Sequence, residues 1–344
     1  MVVGENRCVP STADRPVDLP LDQAYDLVVL DLDGVVYVDD AAVPGAIEAL
    51  DEARRHGTRL AYITNNASRP PAVVAKQLRD LGAPAEESDV VTSAQAAAHL
   101  LADQLPAGSR VYVIGGEGLH AALRERGLEP VVGIDEDPAA VIQGYGPEMP
   151  WRQVIDGAIL VRRGLPWVAS NMDLTVPTRH GPGPGNGALV DLVAGYAGRR
   201  PEVAGKPERP LFDETLDRVG GARPLVVGDR LDTDIEGARN VGWDSLLVMT
   251  GVTTLADLAT LPAGERPTYL GADLGCLALR VTAPEQRDDG VAVGGWTARV
   301  VDGRLRVTGD GDRHDWWRAV AGALWSHLDT TGAAADPAGA TSPR

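Results

Sequence analysis

The sequence predicts an α/β protein: a doubly wound parallel-sheet core, an inserted α/β domain and a small α+β C-terminal extension. Three observations carry this reading. Apolar runs alternate with amphipathic stretches from Tyr25 to about Leu105, and strand-helix-strand alternation implies parallel strands. A second alternation, from Arg110 to Ser170, interrupts the first, which resumes after Val203. Beyond about residue 279 the chain turns polar and Gly-rich, with hairpin signals.

Taken in order, Leu27-Val28-Val29-Leu30 reads as a buried strand ending in Asp31-Leu32-Asp33-Gly34. Val43 to Gly57 predicts a helix, with Pro44 near its start, a Glu/Arg face and Gly at its stop. Arg59 to Thr64 is the next strand and Pro70 to Leu81 the next helix. The second pass predicts a strand at Arg110 to Gly115, helices at Glu117 to Arg126 and Trp151 to Arg163, and a strand at Trp167 to Ser170. The Pro/Gly stretch from His180 to Ala188 is unsuited to helix or central strand. Arg223 to Asp229 predicts a buried strand and Asp234 to Val241 a helix.

In the extension, Gly295 to Thr308 predicts a hairpin turning at Asp302-Gly303. A helix from Asp315 to Leu328 would place Trp317, Ala321, Leu324, Trp325 and Leu328 on one face. Four of the seven Trp lie between 296 and 325, read as the core of an appended domain in preference to a partner-docking face. The expected boundaries are 20–106 and 201–279 for the core, 107–200 for the insertion, 280–330 for the extension and 331–344 for a disordered tail.

A net charge of -17 and a pI near 4.7 oppose binding to nucleic acid or anionic membrane. An anionic substrate then needs a metal or a few local cations. Cys8 and Cys276 stand in no zinc or CxxC spacing. No apolar stretch reaches bilayer length, and the N-terminal residues lack the apolar core of a signal peptide, so a reducing cytoplasm is expected. Only two lysines, Lys76 and Lys206, stand among 32 basic residues, which suggests positions where a compact ammonium is needed.

Open α/β sheets bind ligands at the carboxyl ends of their strands. Asp-x-Asp spacing alone is weak, since it recurs at Asp135/Asp137, Asp232/Asp234 and Asp310/Asp312. The first copy differs by its apolar flanks and by Gly34, which permits close approach of a ligand. A second acidic cluster, Asp229-Arg230-Leu231-Asp232-Thr233-Asp234, follows another apolar run. With the two strand ends side by side, Asp31, the backbone carbonyl of Asp33 and Asp229 offer three oxygens to one Mg²⁺. Thr64, Asn65 and Asn66, at a third strand end, offer a hydroxyl and successive N–H groups to phosphate oxygens, and Lys206 a positive charge. Asp232 reads as a helix cap. Asn66 either binds substrate or closes its turn.

The ordered set DLDGV, TNN, GKP and GDRLDTD resembles the four motifs of the haloacid dehalogenase-like (HAD) phosphohydrolases. The long insertion between TNN and GKP, with the wordings TNNASR and VIGGEGL, is similar to the type IIA (C2-capped) branch, and the resemblance spans about Tyr25 to Leu279. It implies a Rossmann-like core with a cap over about residues 107–200 that excludes water and selects the leaving group. Asp31 would be the nucleophile, forming an aspartyl-phosphate, and Asp33 the general acid and then base. Thr64, Asn65 and Lys206 would hold the phosphoryl group, Asp31, Asp33 and Asp229 the Mg²⁺, and Asp234 would act behind them. Arg69, Asn171, Asp173 and the Arg179-His180-Gly181 segment are the expected contacts to a substrate's polar tail.

The activity implied is Mg²⁺-dependent hydrolysis of a small phosphorylated metabolite. The acidic, Trp-rich extension resembles that of bacterial glycerol 3-phosphate phosphatases, which makes glycerol 3-phosphate the first expected substrate and 2-phosphoglycolate the second. Acetyl transfer is not expected, since Arg318 to Ala323 misses a pyrophosphate-loop pattern by one position. A hydrolytic dehalogenase shares the Asp nucleophile but needs neither Asp33 nor the second acidic cluster. A phosphoacceptor module needs no insertion of about ninety residues. A phosphometabolite sensor that uses the extension is the remaining non-enzyme reading. Caps of this branch imply a possible homodimer.

Overall fold

The computed structural model describes residues 19–178 and 180–343; Cys8, the N-terminal leader reading and Arg179 fall outside them. Contacts divide the chain into two units, one of residues 19–60 with 221–343 and one of residues 61–220.

In the first unit the strands Tyr269–Gly271, Asp244–Val248, Pro224–Gly228 and Leu27–Leu30 lie side by side in that order, all parallel. Val29 sits opposite Val226, so the two central strands end together. Both are buried along their whole length, which is why they read as continuous apolar runs without alternation. The helix Ala46–Arg55 follows, with Ala46, Ala49, Leu50 and Ala53 turned to the core.

The extension builds an antiparallel sheet from Glu285–Arg287, Gly290–Val293, Trp296–Val301 and Arg304–Gly309. Its predicted turn stands: Asp302 and Gly303 have φ of 49° and 74°, as the tight primed turn requires. The helix Arg313–Thr331 packs across this sheet and also against Leu255–Thr260 and Tyr269–Gly271. One apolar core therefore joins Leu247, Leu258 and Leu270 of the parallel sheet to Val291, Ala298, Trp316 and Leu324 of the extension. Trp316 is the fully buried tryptophan, while Trp317 and Trp325 are half-buried. The buried face is wider than expected, taking in Trp316, Ala319, Val320 and Ala323 beside the expected Ala321 and Leu324, because the helix has two sheets to cover. Residues beyond 331, expected to be disordered, are held in part: Ala335 is buried, Leu305 N–H donates to Asp336 O at 2.9 Å, and Asp336 N–H donates to Gly303 O at 2.8 Å.

In the second unit Val90–Thr92 pairs in parallel with the end of Arg59–Thr64, and Thr92 caps Ser93–Gln104 through a reciprocal bond with Gln95. A separate parallel sheet runs in the order Glu202–Val203, Trp167–Ala169, Ala140–Gln143, Arg110–Ile114, Glu129–Val131. Glu117–Glu125, Trp151–Arg162 and Asn186–Ala197 are the insertion's helices. The Pro/Gly stretch is only partly irregular. Gly183–Pro184 pairs with Thr175–Val176 in a two-stranded ribbon, and the last helix already starts at Asn186.

Buried Glu214 gathers Arg126 at 2.6 Å, His99 at 2.5 Å and Arg218. Burial alone would raise its pKa, but hydrogen bonds from Arg218 and His99 and the charges of Arg218 and Arg126 hold it below the usual carboxylate range. In the first unit, His314 Nδ1 accepts the Ala272 N–H at 3.1 Å. Burial pushes its pKa down against Asp312 and Asp315, with Arg313 and Arg318 adding to the fall. His120 is lowered by burial too.

In both cases the unfolded chain binds more protons than the folded one, so stability rises with pH and is lost as pH falls. The histidine contribution is complete above about pH 6.5 and is lost below it, and the Glu214 contribution is lost below about pH 4.5. Thermal melts between pH 8 and 3 are expected to drop in these two windows. A melting temperature that is flat down to pH 4 would contradict the histidine assignment. Glu214→Gln, which strands its arginines, is expected to cost about 3–5 kcal/mol at neutral pH.

Candidate active site

The first unit carries an acidic centre at the carboxyl end of its sheet. Asp31 follows Leu27–Leu30, with its N–H bonded to Val227 O at 2.9 Å, and Asp229 follows Pro224–Gly228. The chain after Asp229 makes one wide helical turn, Leu231–Ile235, before the helix Glu236–Val241. That turn swings Asp234 back toward the strand end, where its carboxylate accepts the Arg230 N–H at 3.1 Å. A Cβ on Gly228 would lie 2.2 Å from the Asp234 side chain, so glycine is what lets Asp234 in. One carboxylate oxygen from each of Asp31, Asp229 and Asp234 falls within a common 4.8 Å.

Asp229 is 2% exposed and Asp234 0%. Carboxylates this close and this buried repel strongly without a cation between them. An all-oxygen set of this kind suits a hard divalent ion such as Mg²⁺. Asp234, expected behind the ligands, stands among the converging carboxylates. Asp33 is exposed on the turn that leads to Tyr37, while Gly34 N–H bonds to Tyr37 O at 2.8 Å. Asp232 caps no helix; it forms an exposed two-point pair with Arg230 at 3.0 and 2.7 Å.

A loop that the sequence reading passed over completes this centre. After Asp244–Val248, Val252 N–H donates to Asp229 Oδ2 at 2.8 Å, and Thr253 Oγ1 donates to Asp229 O at 2.5 Å. Thr250 Oγ1 donates to Gly34 O at 2.5 Å. Gly34 at φ +81° and Gly251 both press on Asp229: a Cβ would lie 2.6 and 1.8 Å from its Oδ2. The signal in the sequence was a fourth strand end, Thr250-Gly-Val-Thr-Thr254, on the same edge of the sheet.

The second unit carries a polar centre without acidic crowding. Thr64, buried at its strand end, accepts the Asn66 N–H at 3.0 Å. Asn66 closes its turn: its Oδ1 accepts Ser68 N–H and Oγ at 3.0 and 2.7 Å. Asn65 lies against Lys206, which is 3% exposed. Asn171 and Asp173 reach the same place through Asn65, whereas His180 stands exposed on the two-stranded ribbon. Arg69 bonds Gln77 at 2.6 Å.

A haloacid dehalogenase-like hydrolase model matches residues 28–129, and a HAD-hydrolase-like model matches residues 203–277. The D-glycerol 3-phosphate phosphatase of Mycobacterium tuberculosis is 41% identical over 316 residues, covering 88% of this chain and 86% of that protein. The acid sugar phosphatase of Staphylococcus aureus is 35% identical over 252 residues, 73% of this chain and 95% of that one. Among solved structures, a glycerol phosphate phosphatase from Mycobacterium tuberculosis in complex with magnesium superposes with a TM-score of 0.79 at 41% identity, covering 90% of this chain and 92% of that one. The 4-nitrophenylphosphatase of Thermotoga maritima gives 0.69 at 31%, covering 75% and 97%. With its carboxylate cluster and near full-length likeness to these proteins, the chain belongs to the haloacid dehalogenase-like hydrolases, among their type IIA phosphatases.

Proposed function

We propose that the protein is a Mg²⁺-dependent phosphatase of small phosphomonoesters that hydrolyses glycerol 3-phosphate by way of an aspartyl-phosphate on Asp31. The observation that carries this is the carboxylate cluster of Asp31, Asp229 and Asp234 in a chain of this family. For the substrate, the support is that the likeness to the D-glycerol 3-phosphate phosphatase covers 88% of the chain, whereas that to the acid sugar phosphatase covers 73%. 2-Phosphoglycolate is the second candidate.

In this reading an Asp31 oxygen attacks phosphorus as the ester C–O–P bond breaks on the phosphorus side, and Asp33 gives its proton to the departing alkoxide. Asp33 then takes a proton from water, whose oxygen attacks the acyl phosphate and frees Asp31 and inorganic phosphate. The exposure of Asp33 suits a group that exchanges protons with solvent. Thr64, Asn65 N–H and Lys206 hold the phosphoryl oxygens, with Gly34 leaving room for the ester. Asp31, Asp229 and Asp234, with the Asp33 carbonyl, would hold Mg²⁺, which when bound neutralises charge between nucleophile and phosphate. Residues of about 107–200 form the cap, and its Asp173, Asn171 and His180, with Arg69 beyond the Thr64 strand end, are the candidate selectors.

Phosphate release with Mg²⁺ across glycerol 3-phosphate, 2-phosphoglycolate, pyridoxal phosphate and nucleoside monophosphates tests the proposal. Release led clearly by glycerol 3-phosphate is expected. Release from none of them would leave the phosphometabolite sensor. Trp151 and Ile155 on one cap helix, with Leu192 and Tyr196 on the neighbouring one, are exposed apolar residues in i, i+4 pairs. They support a homodimer through the cap. Sedimentation should show a dimer that Ile155→Glu converts to monomer, and a monomeric parent would refute it. The paucity of cysteine and the acidic charge support a cytoplasmic place, away from nucleic acid. No helix among the described residues is long and apolar enough to cross a membrane.

A further inference from the structure

Asn65 makes more bonds in the polar centre than a backbone phosphate donor needs. Its Oδ1 accepts the Lys206 N–H at 2.8 Å, and its Nδ2 donates to the Lys206 carbonyl at 3.0 Å. The same Nδ2 lies 3.2 Å from Asp173 Oδ1. Its own carbonyl accepts Ser93 Oγ at 2.6 Å and Asn171 Nδ2 at 2.5 Å. Asn65 is 8% exposed, Asn171 3% and Ser93 0%, so these bonds form away from competing water. Gly205 leaves the space the amide occupies: a Cβ there would lie 2.5 Å from Asn65 Oδ1 and 2.4 Å from Ser170 O.

Two antiparallel bonds to one backbone residue fix its place and its orientation together. A lysine ammonium rides on a four-carbon stem with large rotamer freedom, so its reach is reproducible only when the backbone beneath it is held. The carboxamide supplies that hold from the strand that also presents Thr64. It hands the same donor group to Asp173, four residues after the strand Trp167–Ala169 of the insertion.

We propose that the Asn65 side chain is a positioning residue that sets Lys206 for the phosphoryl group and links it to the insertion loop at Asn171 and Asp173. This rests on the reading of Lys206 as a phosphoryl ligand. The loop that would select the leaving group and the lysine that grips phosphate then share one amide.

A double-mutant cycle tests it through equilibrium binding of inorganic phosphate in the presence of Mg²⁺, measured by calorimetry and thus independent of turnover. Asn65→Ala is expected to weaken phosphate binding about tenfold when Lys206 is present, and less than about twofold in a Lys206→Met background. Equal weakening in both backgrounds, or none in either, overturns the proposal. Lys206→Met binding phosphate like the parent would instead refute the role of Lys206 itself, a distinguishable result. Asn65→Asp keeps the shape and the acceptor but removes the donor, and carries the same cycle if Asn65→Ala does not fold.

Discussion

Asp31→Asn is expected to lower phosphate release by at least about 10⁴-fold, the scale on which loss of a covalent nucleophile is felt. The amide nitrogen and carbonyl that replace the carboxylate match its shape but lack its charge and cannot form the acyl phosphate. The backbone bond from residue 31 to Val227 O does not depend on the side chain, so the strand end should keep its form. Removing one of three converging carboxylates also relieves repulsion, so without Mg²⁺ the variant should melt at the parent's temperature or above it. Single-turnover phosphate release together with melting curves decides this. Activity within tenfold of the parent, in a folded variant, would remove Asp31 from the chemistry.

Gly251→Ala should be nearly as damaging, although residue 251 has no side chain to do chemistry. The new methyl would stand 1.8 Å from Asp229 Oδ2 and 2.4 Å from its Cγ, which no rotation of alanine avoids. Either the loop retreats and withdraws the Val252 N–H from Asp229, or the carboxylate turns away from Asp31 and Asp234. Overpacking of this kind costs about 1–3 kcal/mol in stability. A misplacement of about 1 Å in a catalytic set is enough for about 10²-fold in rate. The expected signature is therefore a rise in the Mg²⁺ concentration required for half-activity, with kcat about 10²-fold lower at saturation. An unchanged Mg²⁺ requirement would mean that the loop does not fix Asp229.

What was legible in advance follows from which forces act locally. Leu27–Leu30 and Pro224–Gly228 are buried on both faces, so their composition alone announces them, and Asp31 and Asp229 come with them. Thr64 and Lys206 follow from turn and charge chemistry at other strand ends. The Thr250–Thr253 loop was missed because its contribution is backbone N–H, hydroxyl and the absence of a Cβ, none of which stands out in composition. The place of Asp234 depends on a wide turn that shifts the phase of everything after Leu231, and no short-range pattern signals one extra residue in a turn. The choice of Trp316 over Trp317 for the core likewise depends on partners distant in sequence, Leu258 and Leu270 among them. The bonds from Asp336 to Gly303 and Leu305 follow a hairpin edge that composition could not foresee.

The helix Arg313–Thr331 has a consequence for how the chain behaves in a crowded solution. Tyr269–Gly271 is the terminal strand of its sheet, and a terminal strand with open N–H and C=O groups is a template for pairing with other molecules. Here the helix lies against that strand, and His314 takes the N–H of Ala272 just past it. A chain cut after the parallel sheet would present that edge together with the bared apolar side chains of Leu258 and Leu270. Aggregation, in preference to a smaller working enzyme, is the outcome to expect from trimming the extension, so its retention follows from colloidal stability whether or not it ever meets a ligand.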